Sequence, residues 1–132
     1  MSDKGRILVV DDDPAVRSLL QAMLEAEGYQ VVTADDGAAG AKILDAEPRP
    51  VNFKTVIVDM MMPNMHGLDL LTRMKLHAHT SGLPVIMLTA EKKPDDILSG
   101  YTTGADYYIT KPFTRQQILF GLDLVNTEKK KA

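Results

Sequence analysis

Five short apolar runs alternate with segments of helical periodicity along this chain. The runs are Arg6–Val10, Gln30–Ala34, Lys54–Val58, Pro84–Leu88 and Tyr107–Ile109. They are rich in β-branched residues and bounded by turn residues, which predicts strands. After the first run, Val16, Leu19, Leu20, Met23 and Leu24 recur at i, i+3, i+4, i+7 and i+8. That is the stripe of a helix buried on one side. Asp13 suits its N-cap, Pro14 its first turn and Gly28 its C′ position. Leu68, Leu71 and Met74 share a helical face after Gly67. Thr114 and Gln117 have the spacing of a capping box, and the stripe Ile118, Leu122, Val125 follows.

Strand–helix alternation predicts an α/β fold with a parallel sheet covered on both faces by helices. Right-handed crossovers then make the sheet doubly wound. No internal repeat or second domain interrupts the pattern, so one domain is expected over 1–132, with a core at about 5–127. Glu47-Pro48-Arg49-Pro50 reads as a loop inside it. The charged tail at 128–132 is expected to complement the dipole of the last helix and fray into solvent.

Composition narrows the function classes. Formal net charge is −3, so no global basic field points to nucleic acid or an anionic membrane. There is no cysteine, which excludes disulfides and thiolate metal sites. The start, Met1-Ser2-Asp3-Lys4-Gly5, lacks the apolar stretch of a signal peptide. The apolar runs are far too short to span a membrane. These features lead to the expectation of a cytoplasmic protein.

Chemistry concentrates where the runs end. Asp11, Asp12 and Asp13 follow the first run, Asp59 the third, Thr89 the fourth, and Lys111 comes shortly after the fifth. In an open parallel sheet the crevice lies beyond the carboxyl ends of the strands. Asp11, Asp12 and Asp59 should converge there. Each carboxylate pair at ~4 Å costs about 4 kcal/mol at an effective dielectric near 20, which protonation or a hard cation relieves. Oxygen-only ligands favour Mg2+ or a similar ion. An aspartate nucleophile with such an ion, a lysine and a hydroxyl is what an acyl-phosphate intermediate requires. Neither G-x-G-x-x-G nor G-x-x-x-x-G-K-[ST] occurs, so the phosphoryl group is expected from another protein or a small donor, with no nucleotide cofactor bound.

Ile7-Leu8-Val9-Val10-Asp11-Asp12-Asp13, Val58-Asp59-Met60-Met61-Met62-Pro63-Asn64-Met65-His66-Gly67, Leu88-Thr89-Ala90, Gly104-Ala105-Asp106 and Lys111-Pro112-Phe113 occur in this order. With them the chain resembles the receiver domain of two-component response regulators over nearly its whole length. The resemblance implies a flavodoxin-like, five-stranded sheet of order 2-1-3-4-5. It implies that Asp59 is the phosphoacceptor and that Asp11, Asp12, Asp59 and the Met61 backbone carbonyl hold Mg2+ or Mn2+. It makes Thr89 the switch hydroxyl, Tyr108 the aromatic that moves with it, and Lys111 a partner of the phosphoryl oxygens. The Lys111–Pro112 bond is expected to be cis. The implied partners are a sensor histidine kinase or a histidine phosphotransfer protein, and a downstream target. That target would dock on the face of a fourth helix (roughly Asp95–Thr103), the last strand and the last helix. The fourth helix carries Ser99, Gly100, Thr102 and Thr103, which weaken it and mark it as the moving part. A monomer, or a weak dimer dependent on phosphorylation, is expected.

Other features read more plainly. Asp13 is a helix cap, Tyr107 sheet packing, and Met60–Met62 packing and loop geometry. His77 and His79 are two apart, hence on different helix faces, with no carboxylate framework, and together with His66 they carry no expected function. No effector domain is expected after Ala132, so the chain reads as a stand-alone regulator. The resemblance places Met61 and Glu91, two beyond Asp59 and Thr89, at the family's rate-tuning positions. Two rival readings fit less well. An aspartyl phosphohydrolase of the haloacid dehalogenase type needs a second acid where Met61 stands. A pseudo-receiver, used only for interaction, would not need the intact acid, hydroxyl and lysine set. The chain is thus expected to be a switch and not an enzyme beyond its own phosphorylation and dephosphorylation.

Overall fold

The computed structural model describes residues 4–60, 62, 66–90 and 104–131, with side chains to 127. Strand β1 (Arg6–Val10) leads to helix α1 (Pro14–Ala26), β2 (Gln30–Ala34), α2 (Gly37–Ala46), β3 (Thr55–Asp59), α3 (Gly67–Leu76), β4 (Val85–Thr89), β5 (Tyr107–Thr110) and a C-terminal helix (Arg115–Lys131). All strands are parallel, in the order β2-β1-β3-β4-β5. This is the doubly wound, flavodoxin-like sheet the sequence implied. The expected fourth helix over 95–103, Met61 and Glu91 lie outside the described residues.

Alternation along each strand builds two cores. Leu8, Val10, Val56, Val58, Val85 and Met87 face α2 and α3, where Leu44, Leu70, Leu71 and Met74 meet them. Ile7, Val9, Ile57, Ile86, Leu88 and Ile109 face the other way, against Leu20 and Leu24 of α1 and Ile118, Leu122 and Val125 of the C-terminal helix. The central strands are buried from both sides, as a helix-covered parallel sheet requires.

The local signals act as their chemistry suggests. The Asp13 carboxylate accepts from the Ala15 amide at 2.9 Å and starts α1. Gly28, at φ 100°, lets the chain reverse after that helix. Thr114 and Gln117 exchange bonds at 2.8 and 3.1 Å ahead of the C-terminal helix. That helix runs on through the charged residues to Lys131. Three strands differ from the expected ones at their boundaries: Lys54 and Pro84 fall outside, while Asp59, Thr89 and Thr110 fall inside. The strands therefore extend into their polar ends.

Candidate functional site

Strand register assembles the site. Val10 lies opposite Val58, so Asp11 and Asp59 leave adjacent strands at one level. Asp59 lies opposite Leu88, and Thr89 opposite Thr110, the residue before Lys111. The order of the strands reverses between β1 and β3, and the crevice outside such a switch point is where open α/β sheets bind ligands.

Asp11 is fully buried and Asp59 is 5% exposed, while Asp12 is exposed. One oxygen from each lies within 4.8 Å of the others. The Lys111 ammonium sits 3.1 Å from Asp11 Oδ2 and 3.2 Å from Asp59 Oδ1. The other Asp11 oxygen accepts from the Asp13 amide at 2.9 Å. Thr89 is fully buried, and its hydroxyl donates weakly to the Met60 sulfur at 3.7 Å. Met60 belongs to the core against which the half-buried Tyr108 packs. The Lys111–Pro112 bond is cis, as is Arg49–Pro50.

The electrostatics follow from burial and from an excess of acids. Desolvation and then the Asp11 charge push the Asp59 carboxyl up to about 6, Lys111 pulls it down, and Asp12 adds a smaller push upward. Burial by itself lowers the Lys111 ammonium. Its hydrogen bond to Asp11 and the nearby charge of Asp59 outweigh that, so its pKa is raised. Among the described residues, one lysine faces three acids, which leaves the cluster short of positive charge. An all-oxygen, under-neutralised donor set fits a hard divalent cation, with Asp11, Asp12 and Asp59 able to hold it.

Gly67 is a site residue whose job the sequence did not disclose. It opens α3, and a Cβ there would stand 2.3 Å from the Asp59 carbonyl oxygen and 2.8 Å from the Met60 Cα. Its amide donates to the Met60 carbonyl at 2.9 Å. The chain after Asp59 therefore folds back against its own backbone, and only a glycine fits. The signal was its place just before an apolar stripe. His66, ahead of it, caps α3 by accepting from the Leu68 amide at 3.3 Å.

The reading of the other histidines needs correction. Helix α3 ends at Leu76, so His77 and His79 lie in the turn after it, with rings edge-to-face at 5.7 Å. One carboxylate meets one of them: Asp45 Oδ1 is 3.1 Å from His79 Nε2, and its other oxygen is 2.6 Å from Arg73, while His77 Nδ1 lies 2.7 Å from the Arg73 carbonyl. Met60 and Met62 are buried in the core, as expected of packing residues.

Known proteins share this fold. The chain is 38% identical over 116 residues to the probable transcriptional regulatory protein TcrX of Mycobacterium tuberculosis, covering 88% of this chain and 47% of that protein. It thus spans about half the length of the curated relatives it matches. A response regulator receiver domain protein of Clostridium thermocellum superposes with a TM-score of 0.86 at 30% identity, over 96% of this chain and 97% of that one. The response regulator TrrA of Thermotoga maritima, solved in complex with Mg(2+)-BeF, gives a TM-score of 0.78 at 31% identity, over 92% and 98%. Among the described residues no helix is long and apolar enough to cross a membrane. The profile of the response regulator receiver domain matches residues 7–122, nearly all of the folded core. By that match, by its relatives and by the sheet that carries the acid cluster, the chain belongs to the receiver domains of response regulators, signalling modules of two-component systems.

Proposed function

We propose that this protein is a phosphorylation-activated switch that takes a phosphoryl group onto Asp59. The donor is the phosphohistidine of a sensor histidine kinase or of a histidine phosphotransfer protein. The observation that carries this reading is the meeting of Asp11, Asp12 and Asp59 around one point, with Lys111 3.1 and 3.2 Å from two of them. An Asp59 carboxylate oxygen attacks phosphorus, the phosphorus–nitrogen bond breaks, and the leaving imidazole takes up a proton. Mg2+ or Mn2+, held by Asp11, Asp12, Asp59 and the Met61 backbone carbonyl, would offset the charge of the phosphoryl oxygens. The Mg(2+)-BeF complex of the Thermotoga relative supports that choice of ion.

Lys111 follows the charge as it moves. It is already paired with Asp59, so it needs no long excursion to reach the new oxygens. Thr89 gives up a weak sulfur acceptor for an anionic oxygen. A hydrogen bond to a charged group contributes about 1.5–3 kcal/mol. Moving an element from 1:99 to 99:1 takes roughly 5.5 kcal/mol, so Thr89 alone gives a partial switch and Lys111 or a partner completes it. Tyr108 shares its core with Met60, the present acceptor of Thr89, and responds when that contact is released.

The output face is β5 with the C-terminal helix and the segment 95–103. Phe120 on that helix is 60% exposed and packs edge-to-face on Tyr107 of β5. We read the protein as one receiver domain over 1–132, cytoplasmic, monomeric or weakly dimeric when phosphorylated. Its only chemistry is on its own Asp59. It makes no direct contact with nucleic acid or membrane.

The test is incubation with acetyl phosphate and Mg2+, read by intact mass. One added phosphoryl group is expected, and none on Asp59→Asn. An unmodified wild-type protein, or equal labelling of the variant, overturns the assignment. Steady hydrolysis of a small phosphoester would instead indicate a phosphohydrolase.

A further inference from the structure

The loop that carries Asp11 and Asp12 is held from a direction that the phosphoryl chemistry does not use. Arg17, half-buried and one turn into α1, donates from Nη1 to the backbone carbonyl of Asp11 at 2.7 Å. This is a short, charge-assisted bond. The ladder of β1 ends at Val10, and Asp11 makes one last bond to the sheet, from its amide to the Ala34 carbonyl at 3.1 Å. From there the chain leaves the sheet, and the orientation of the next peptide has to be set by something other than strand pairing.

The two carboxylates differ in how they are fixed. Both oxygens of Asp11 are held, by the Asp13 amide and by Lys111. For the Asp12 side chain no partner is found among the described residues, and it is exposed. Its aim is therefore set by its backbone. The Asp11 carbonyl and the Asp12 N–Cα bond lie in one planar peptide unit. A partner that pins the carbonyl fixes the plane, and the plane fixes the N–Cα bond from which the Asp12 side chain departs. Arg17 is well placed to be that pin, because its own amide is tied into the first turn of α1 through the Asp13 carbonyl at 3.0 Å. Its side chain packs along the carboxyl end of β2, where it lines a cleft with Thr33, Ala34 and Asp35.

We propose that Arg17 is a positioning residue for Asp12, and through it for binding of the divalent cation. The inference rests on the reading of Asp11, Asp12 and Asp59 as a cation site. Lysine retains the charge and one donor but not the planar fork, so it replaces arginine in part. Removing the partner of a metal ligand typically lowers metal affinity by about 10–100-fold.

The experiment is titration of the full chain with Mg2+, followed by amide chemical shifts, with melting recorded in EDTA. Arg17→Ala is expected to raise the Mg2+ dissociation constant by about 10-fold, with Arg17→Lys between it and wild type. The melting temperature in EDTA moves little. In an Asp12→Asn background, Arg17→Ala is expected to cause no further loss. An unchanged dissociation constant in Arg17→Ala, or the same proportional loss with and without Asp12, overturns the proposal. If Arg17→Ala fails to fold, Arg17→Lys carries the same cycle with Asp12→Asn. Wild-type protein that binds no Mg2+ would refute the cation site itself, a different outcome from wild-type binding that Arg17 leaves untouched.

Discussion

Asp59 and Asp45 are the same amino acid in opposite electrostatic settings. Asp59 is 5% exposed at the carboxyl end of β3, and its carboxyl is pushed up to about 6. Asp45, in the last turn of α2, has a side chain 41% exposed, and its carboxyl is lowered, first by the Arg73 hydrogen bond and then by His79. Around Asp59 three acids share one lysine. Around Asp45 one acid has an arginine and a histidine to itself. A charge surplus held under burial is costly to keep, and it is there to be relieved by a ligand or by chemistry. A matched exposed cluster ties surfaces together and asks for nothing more.

The largest contrast is steric. A methyl at Gly67 meets the Asp59 carbonyl at 2.3 Å, and a backbone atom cannot step aside. Gly67→Ala is expected to cost about 3 kcal/mol or more, seen as a lower urea midpoint and lost phosphorylation. At Gly82, in the turn near His79, a methyl would meet nothing within 4 Å, and the residue has no positive φ. Gly82→Ala is expected to be neutral or stabilising by about 0.4–1 kcal/mol. Equal losses at both glycines would erase the contrast between a rigid pole and a tolerant one.

Much of the acidic pole was legible because strand ends announce themselves. Three of the five apolar runs stop at Asp11, Asp59 and Thr89, and parallel pairing brings those stops together. The pairing of Lys111 with both Asp11 and Asp59 was not legible, since it depends on distances across three strands. Helix α2 was hard to see for a different reason. Its sequence, Gly37-Ala38-Ala39-Gly40-Ala41-Lys42-Ile43-Leu44-Asp45-Ala46, has little apolar contrast, begins on one glycine and holds another, Gly40, in its interior, where glycine costs about 1 kcal/mol. Gly40 is there because a Cβ would come 3.0 Å from Val10 Cγ2, so α2 rides close on the sheet. Asp36, which accepts from the Ala39 amide at 2.8 Å, was the available start signal. His77 and His79 were placed on a helix by their spacing, but α3 ends at Leu76, and helical geometry does not hold in the turn that follows.

The next effect is electrostatic. The raised carboxyl means that folded protein holds the Asp59 proton more tightly than unfolded protein, whose value is near 3.9. That contribution is present below about pH 4 and is lost as pH rises through about 6. Two units correspond to about 3 kcal/mol. Chemical denaturation in EDTA should show metal-free stability falling over this window, and Asp59→Asn should flatten the fall and be the more stable protein at pH 7. Stability that climbs steadily from pH 4 to 7 in wild type and variant alike would contradict it.

Saturation with Mg2+ should reverse part of this penalty. At a concentration 100-fold above the dissociation constant, linkage supplies about 2.7 kcal/mol, a rise of roughly 5–10 °C in melting temperature for a domain of this size. Asp12→Asn should lose most of the rise, and Asp45→Asn should keep all of it. A rise that follows Asp45 would place the cation at the wrong pole.

The smallest effect belongs to Asp45 itself. Its lowered carboxyl contributes stability that is present above about pH 4 and lost as pH falls through the folded value. Solvent screening at a side chain 41% exposed limits the Arg73 pair to the range of surface ion pairs, about 0.2–1 kcal/mol. Asp45→Asn should therefore lower stability slightly at pH 7, and by less as pH falls below about 4 toward the lowered folded value. Salt separates the two poles most simply. At 1 M, where the screening length is about 3 Å, the Asp45 effect should vanish. The buried excess of acid around Asp59 should still distinguish wild type from Asp59→Asn, because buried charges are screened much less than exposed ones.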